Sequence, residues 1–288
     1  MYLAFNRSNF QEQIHELYHD LICFGTGVMF IEADADQQIR FSTKHCSETY
    51  LSEDSNGRVD TVFRQFNMPA RAVIQRFGEE VLDNKILNAA KKNPYENITL
   101  IHAVFPRDDR DTTRTDNKNM PFASVYLDPG SRTVLSESGF EEFPYVAPRF
   151  LKASFEIGYG RSPAMTALPD IKMLNKMSEV TIRAAQKQVD PPLMVPDDGF
   201  MLPIRTVPGG LNFYRSGTRD RLEPLNIGAN NPLGLNMEEQ RRRAIEAAFY
   251  VDQLIMSQGP QMTATEVVQR TEEKMRLLGP VLGRLQAE

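Results

Sequence analysis

The feature that most constrains this chain is a helical apolar seam that ends at two consecutive prolines. Ser162-Pro163 supplies a capping hydroxyl and a proline suited to a first helical turn. Seam positions then recur every three or four residues, and only one of them is polar: Ile171, Leu174, Ser178, Ile182, Ala185 and Val189. Pro169 should kink or restart this helix near its beginning. Because Pro191-Pro192 ends it, the 29 residues from Ser162 to Asp190 span roughly 43 Å.

The next segment, residues 191–235, contains seven prolines and six glycines, which predicts a small irregular module. Phe200–Arg205 and Leu211–Tyr214 are strand-like pieces within it. An Asn-x-x-Glu capping pattern that begins at Asn236 predicts a returning helix that ends near Met256. Two long helices that bracket a small module are typical of a stalk with a tip.

A break and a further helix follow the stalk. Ser257–Met262 interrupts the helical pattern, and Thr263 begins another helix that Gly279-Pro280 should kink. The pattern is still helical at Glu288. We therefore expect the chain to be a piece of a longer protein.

The first 160 residues have a mixed pattern. Phe10, Ile14, Leu17 and Leu21 share one face and predict a first helix, capped by Ser8 or Asn9. Asn56-Gly57 predicts a hairpin with two positive φ angles. Two further helices are predicted over Ala70–Phe77 and Glu79–Lys92, and strands over Val28–Ala33, Gln38–Thr43, Ser47–Leu51, Arg58–Phe66, Ile98–Phe105, Phe122–Leu127, Thr133–Ser136 and Tyr145–Leu151. The predicted fold class is α+β: a mixed body, then a helical stalk.

Composition narrows the class of function. The chain has 33 Lys and Arg against 38 Asp and Glu, a net charge of −5. That balance argues against a protein held on nucleic acid by a basic surface, because each phosphate contact needs a cation. Cys23 and Cys46 are too few for a disulfide framework. With no secretory signal and no apolar run of about 20 residues, we expect a soluble intracellular protein without a cofactor.

One string matches a metal-dependent hydrolase. His15-Glu16-Leu17-Tyr18-His19 has the His-Glu-x-x-His spacing, in which two imidazoles on one helix face bind zinc. Cys23 lies one turn further on, and His45-Cys46 follows downstream. Both histidines, however, lie opposite the apolar face of the first helix. We therefore favour a solvated helix face, with no metal and no catalytic residue, and keep the hydrolase as the alternative.

Other short motifs carry less information. Gly160-Arg161-Ser162-Pro163-Ala164 lacks the last glycine of a nucleophile elbow, and Pro163 makes Ser162 a better helix cap. The Gly-x-Gly pairs at Gly25/Gly27 and Gly158/Gly160 are weak signals. The basic run Arg241-Arg242-Arg243 is better explained by pairing with neighbouring glutamates (Glu238, Glu239 and Glu246) than by nucleic-acid contact.

Two stretches together resemble a known family. The first is Glu156-Ile157-Gly158-Tyr159-Gly160-Arg161-Ser162-Pro163-Ala164-Met165, with Ala167-Leu168-Pro169-Asp170-Ile171-Lys172 and Leu174-Asn175 following it. The second is Gln261-Met262-Thr263-Ala264-Thr265-Glu266-Val267, leading to Leu278-Gly279-Pro280. Both resemble the portal, or head-to-tail connecting, proteins of short-tailed bacteriophages.

The resemblance implies a ring, usually of twelve subunits, at one capsid vertex of the virion. Such rings assemble in the bacterial host cytoplasm, pass double-stranded DNA during packaging and ejection, and have no catalytic activity. The implied partners are the terminase large subunit, tail adaptors, and scaffolding and capsid proteins. The implied parts are a wing (residues 1–160), stem helix (161–190), clip (191–235), second stem helix (236–256), channel loop (257–262) and wing helix (263–288). Family chains also have more wing before Met1 and a crown after Glu288.

Roles for particular residues follow from this resemblance. Gln258, Gln261 and Met262 are expected to line the channel, and Arg215, Arg219 and Arg221 to face the terminase or adaptor. The stem positions are Ile171, Leu174, Ile182, Arg241, Arg242 and Ile245. The rivals are the zinc-dependent hydrolase that uses His15, Glu16 and His19, and a generic oligomeric scaffold without a pore.

Overall fold

A computed structural model describes residues 2–34, 38–114, 116–153, 157–194, 223–224, 232–251, 276 and 279–288. Its contacts divide the chain into two compact units, which are described separately. The first comprises residues 1–166 and 256–288, and the second residues 167–255. The predicted wing, stem and clip boundaries stay predictions.

The first unit combines helices with two antiparallel sheets. Its helices are α1 (Tyr2–Arg7), α2 (Phe10–Phe24), α3 (Ala70–Phe77) and α4 (Asn84–Lys92), and residues 279–287 are also helical. Its strands are β1 (Val28–Asp34), β2 (Gln38–Lys44), β3 (Thr49–Glu53), β4 (Val59–Pro69), β5 (Asn97–Pro106), β6 (Phe122–Asp128), β7 (Thr133–Phe140) and β8 (Tyr145–Val146). The strand orders are β2-β1-β8 and β3-β4-β5-β6-β7. This confirms the predicted α+β class.

The five-stranded sheet provides most of the core. Alternate residues of its central strands β4 and β5 point to one face, and Val62 and Phe66 pair across the ladder with Val104 and Leu100. Val62 and Val104 join one apolar cluster, with residues of β1 and β8. Phe66 and Leu100 join a second, with residues of α3 and α4. Because side chains alternate between the two faces of a strand, one face of this sheet is buried, partly against β1 and β8 and partly against α3 and α4.

A histidine lies inside this apolar face and is satisfied there. His102 is 2% exposed. Its Nδ1 is 3.1 Å from the Tyr145 hydroxyl and its Nε2 is 3.0 Å from the Ser124 hydroxyl. The ring stacks on Tyr126 with 4.0 Å between centroids. Burial, with the nearby charge of Arg76, lowers the pKa of His102 to about 3, so the imidazole is neutral at physiological pH.

Helix α2 packs on the smaller sheet through the predicted face. Leu17 packs with Met29 and Phe41 in a third apolar cluster. The predicted cap is only partly correct. The Ser8 hydroxyl accepts the Phe10 N–H at 3.3 Å, whereas the Asn9 side chain makes no cap hydrogen bond. Asn9 instead exchanges two hydrogen bonds, of 2.8 and 2.9 Å, with the backbone of Phe41 in β2.

Two predictions failed at turns. Only Gly57 of the expected Asn-Gly pair has a positive φ, because the Asp54 carboxylate accepts the N–H groups of Asn56 and Arg58 and sets a different turn. The helix predicted over Glu79–Lys92 begins only at Asn84 in α4, since residues 79–83 form a turn that buries Leu82.

Two further predictions failed where prolines control the backbone. The strand predicted over Tyr145–Leu151 is reduced to β8, because Pro148 has no N–H to continue the ladder. The helix predicted to begin at Asn236 begins at Pro232, which suits a first helical position. The Asn236 capping pattern is therefore inside the helix.

The second unit contains two long helices and a short strand pair. They are α5 (Pro163–Val189, which begins in the first unit), α6 (Pro232–Ala248), and β9 (Leu193–Met194) paired with β10 (Glu223–Pro224). Helix α5 continues through Pro169 without the expected restart. The strand-like pieces Phe200–Arg205 and Leu211–Tyr214 lie outside the described residues. Within the described residues, no helix is both long and apolar enough to span a bilayer.

The burial of His102 predicts a pH dependence of stability. Above pH 6.5, the ordinary pKa of histidine, the imidazole is neutral in the folded and unfolded chains. Below it the unfolded chain binds a proton that the folded chain binds only near pH 3, so stability falls by about 1.4 kcal/mol per pH unit. Urea unfolding should show the wild-type chain losing about 2 kcal/mol more than His102→Gln between pH 6.5 and 5.

The exposed His15 provides the control for this measurement. His15→Gln should retain the wild-type pH dependence, because that side chain is on the solvent face of α2. Equal losses in the wild-type and His102→Gln chains would show that His102 does not cause the acid sensitivity.

Candidate functional site: the start of the long helix

The first turn of α5 is joined to the last turn of α2 by one hydroxyl. Ser162 is fully buried, and its Oγ accepts the Met165 N–H at 2.9 Å while donating to the Cys23 carbonyl at 2.9 Å. The first N–H groups and last carbonyls of helices have no partner within the helix. Ser162 therefore satisfies one group at the start of α5 and one at the end of α2. The predicted capping role of Ser162 is confirmed.

Two glycines bring the backbones into direct contact beside this hydroxyl. Gly25 ends α2 with φ 78°, and a Cβ there would lie 2.5 Å from the Arg161 carbonyl carbon. A Cβ on Gly160 would lie 2.5 Å from the Gly25 carbonyl oxygen. Neither position can hold a larger residue without a backbone shift. The Gly160 N–H also donates to the hydroxyl of the buried Thr26 at 2.8 Å.

The residues before α5 are held by the β3 edge. The Gly158 N–H donates to Glu53 Oε1 at 2.9 Å, and the Tyr159 hydroxyl donates to the Thr49 carbonyl at 2.7 Å. Arg161 and Leu151 exchange backbone hydrogen bonds of 2.6 and 3.2 Å. Each residue from Gly158 to Ser162 thus has a hydrogen bond to a residue outside this segment, and for all of them except Arg161 that partner is more than 100 positions away.

A buried charge network lies next to this segment. The Arg149 side chain is 2% exposed and pairs with both Glu53 and Glu288. Lys152 Nζ donates to the two Glu53 oxygens at 2.6 and 2.5 Å. Burial raises the pKa of the Glu53 carboxyl, but hydrogen bonds from Lys152 and Gly158 and the charge of Arg149 outweigh it and lower the pKa below its ordinary value. Glu53 is therefore ionised at neutral pH.

No pattern in the sequence predicts this network. Its pairs join residues 96 and 139 positions apart, and no local pattern marks such contacts. A signal did exist for the backbone contact, namely the pairs Gly25/Gly27 and Gly158/Gly160. Each pair alone is a weak signal, because the sequence does not reveal that Gly25 and Gly160 face each other.

The stem positions that lie in the described residues differ in exposure. Ile171, Leu174 and Ile245 are half-buried, whereas Ile182 is 59% exposed. Arg241 is half-buried and pairs with Asp170 at 2.8 Å, and Arg242 is exposed. Of the glutamates predicted to pair with the basic run, Glu239 contacts Arg243 at 3.3 Å, while Glu238 accepts from the Thr181 hydroxyl. The expected channel and clip residues lie outside the described residues: Gln258, Gln261, Met262, Arg215, Arg219 and Arg221.

The histidines of the hydrolase string lie on the surface of the first unit. His15, Glu16 and His19 line an open cavity of about 350 Å³ together with His45. The Cys23 Sγ is 3.9 Å from His19 Nε2. Among the described residues, no three His, Cys, Asp or Glu side chains are placed to hold a metal ion.

Comparisons with known proteins identify the family. The whole chain, residues 1–288, matches the family described as bacteriophage head to tail connecting protein. The chain is 34% identical over 299 residues to a probable portal protein of Bordetella phage BPP-1, and 32% identical over 294 residues to a portal protein of Salmonella phage epsilon15. These alignments cover 100% and 99% of the chain but 53% of each relative, so the chain spans about half their length.

The chain belongs to the bacteriophage head-to-tail connecting proteins. This is a family of structural phage proteins, and the match gives no support to the hydrolase alternative at His15, Glu16 and His19. Within that family, the geometry around Ser162 accounts for the Gly158-to-Pro163 motif on which the resemblance rests. Its glycines permit backbone contact, and its serine and proline begin the long helix.

The contact between Gly25 and Gly160 predicts a large effect of a single methyl group. Gly160→Ala should destabilise the first unit by about 3 kcal/mol, because the new Cβ meets backbone atoms on both sides. Urea unfolding monitored by circular dichroism measures this loss.

Gly283 is the matched control, since nothing lies within 4 Å of a Cβ placed there. Gly283→Ala should be neutral or stabilise its helix by up to about 1 kcal/mol. If the two alanine variants have the same stability, the backbone contact at Gly160 does not constrain the fold.

Proposed function

We propose that this chain forms part of a ring-shaped portal, of about twelve subunits, at one vertex of the phage head. The ring conducts double-stranded DNA during packaging and ejection. The terminase large subunit docks on it during packaging and tail adaptors bind it afterwards, with scaffolding and capsid proteins around it. Assembly takes place in the host cytoplasm. Family membership and the names of the relatives support this proposal.

The observation that carries the proposal is the uncovered apolar side of α5. Residues 181–190 are all exposed, and the exposed fractions of Val180, Ile182 and Val189 are 57%, 59% and 86%. Ile182, Ala185 and Val189 are the last three positions of the apolar seam, and all three line a groove along the helix. Contiguous apolar surface of this kind favours an interface. A neighbouring subunit in a closed ring would cover it by head-to-tail contact.

The first half of the same seam is covered within the second unit. Ile171 and Leu174 are half-buried, and Arg241 of α6 pairs with Asp170 beside them. The seam is therefore half-buried at Ile171 and Leu174 and exposed at Ile182 and Val189, and within this proposal a second subunit packs on the exposed positions.

The charge balance agrees with a conduit for DNA. A net charge of −5 argues against a surface that neutralises the roughly six to ten phosphates needed for tight, salt-dependent binding. A channel that binds DNA weakly lets it slide. Within this proposal Gln258, Gln261 and Met262 line the channel, and Arg215, Arg219 and Arg221 face the terminase or adaptor.

Ring formation is tested by native mass spectrometry and negative-stain images of the purified chain. The wild-type chain should form annular particles of about a dozen copies with a central hole. Ile182→Glu should reduce them to monomers or small oligomers, because a carboxylate would be buried in the subunit contact. Particles without a hole would instead support the generic scaffold, and a wild-type monomer would contradict ring closure by this chain.

Ala184→Glu is the control for the ring measurement. It adds the same charge to an exposed position about 200° around the helix from Ile182. It should leave the rings intact. Loss of rings in both variants would mean that added charge, and not the seam, prevents assembly.

Weak DNA binding is the second expectation from this function. Fluorescence anisotropy with a short duplex should give a Kd weaker than about 10⁻⁴ M and a shallow dependence on salt. Nanomolar binding that falls steeply between low and physiological salt would contradict a sliding conduit.

A further inference from the structure

The side chain of Glu288 occupies a site built around Arg149. Arg149 donates to its carboxylate from the backbone N–H at 2.8 Å, from Nε at 3.0 Å and from Nη2 at 2.6 Å. The two N–H groups of the guanidinium contact different carboxylate oxygens, which is the bidentate geometry of strong arginine–carboxylate pairs. The Arg149 side chain is 2% exposed and that of Glu288 is 15% exposed.

The rest of the network holds Arg149 without help from Glu288. Its Nη1 donates to Glu53, and its Nη2 also donates to the Gly57 carbonyl at 3.0 Å. Glu53 is itself held by Lys152 and by the Gly158 N–H. These contacts give the guanidinium two acceptors that do not involve Glu288. We therefore expect it to keep its orientation when the Glu288 carboxylate is removed.

The charges of the buried side chains indicate which class of ligand this site binds. Arg149 and Lys152 carry two positive charges, and Glu53 carries one negative charge. Without Glu288 the buried cluster has a net charge of +1, which is costly away from water. A carboxylate brings the net charge to zero and accepts all three free N–H groups. The site thus selects a carboxylate over a neutral or cationic group.

The helix that carries Glu288 has few other buried contacts. Among residues 279–287, Val281 is the one buried side chain, at 8% exposed. Leu282, in contrast, is 43% exposed. Among the described residues, the hydrogen bonds that join residues 279–288 to the rest of the first unit are those between Glu288 and Arg149.

We propose that Arg149, together with Glu53 and Lys152, forms a carboxylate-binding site that Glu288 fills as a releasable latch for the helix of residues 279–287. Loss of the carboxylate frees the helix and leaves the sheets folded. A small carboxylate added from solution then occupies the vacated site.

Hydrogen exchange of the whole chain tests the latch. In Glu288→Ala, amides of residues 281–287 should exchange on the order of 100-fold faster, because a buried arginine loses one of its two ion-pair partners. Amides of β4 and β5 should keep their wild-type protection. Glu288→Gln keeps the shape of the side chain and can still accept hydrogen bonds, so the exchange rates of residues 281–287 should rise by an intermediate amount. This variant also provides the test if the alanine variant folds poorly.

Acetate supplies the second readout. At constant ionic strength, replacing chloride with acetate should raise the melting temperature of Glu288→Ala more than that of the wild-type chain. Glu239→Ala is the matched control, because it removes an exposed carboxylate that pairs with Arg243 at 3.3 Å. Its melting temperature should not respond to acetate beyond the wild-type response.

Three results would each overturn the latch. Unchanged exchange of residues 281–287 in Glu288→Ala would show that the carboxylate does not hold the helix. Equal loss of protection in β4 and β5 would show a general structural role and no separate release. An acetate response no larger than that of the wild-type chain would show that the site does not bind a free carboxylate.

Discussion

The contact between the backbones at Gly25 and Gly160 is the constraint on which the arrangement of the first unit depends. The 27-residue helix α5 begins in contact with the end of α2. At both Gly25 and Gly160 the backbones lie too close together to leave room for a Cβ. The shared Ser162 hydroxyl then satisfies groups of both helices that no intrahelical bond can satisfy. Close approach and hydrogen bonding thus support each other, because the hydroxyl reaches both groups only when the glycines permit the contact.

The charge network beside this contact stabilises the same region by different physics. Burying Arg149 removes its hydration, and the loss is offset only if several acceptors surround the guanidinium. Glu53, Glu288 and the Gly57 carbonyl do so. Because Glu53 also binds the Gly158 N–H, the network connects the segment before α5 to the β3 edge.

Elements with a strong local period were predictable from the sequence. The face of α2, the core strands and the course of α5 follow directly from apolar spacing, because each periodicity matches one backbone geometry. The errors lie where side chains or prolines change the backbone locally. The Asp54 carboxylate accepts two backbone N–H groups and changes the turn at Asn56. Pro232 begins α6 one turn before the predicted start at Asn236. The channel and clip residues stay predictions, since they lie outside the described residues.

Three properties of this protein can be read directly from its residues: the α+β class, the long helix with its Ser162 cap, and the motif that resembles the family. Those properties depend on residue type and on spacings of a few residues, which any reader of the chain can see. The tertiary structure was needed to show that Gly25 faces Gly160 and that Arg149 pairs with both Glu53 and Glu288. It also shows that the apolar seam of α5 is half-buried at Ile171 and Leu174 and exposed from Ile182 onward. The contacts of Gly160 and Arg149 join residues about 100 or more positions apart, and their energies depend on burial, which local sequence does not encode.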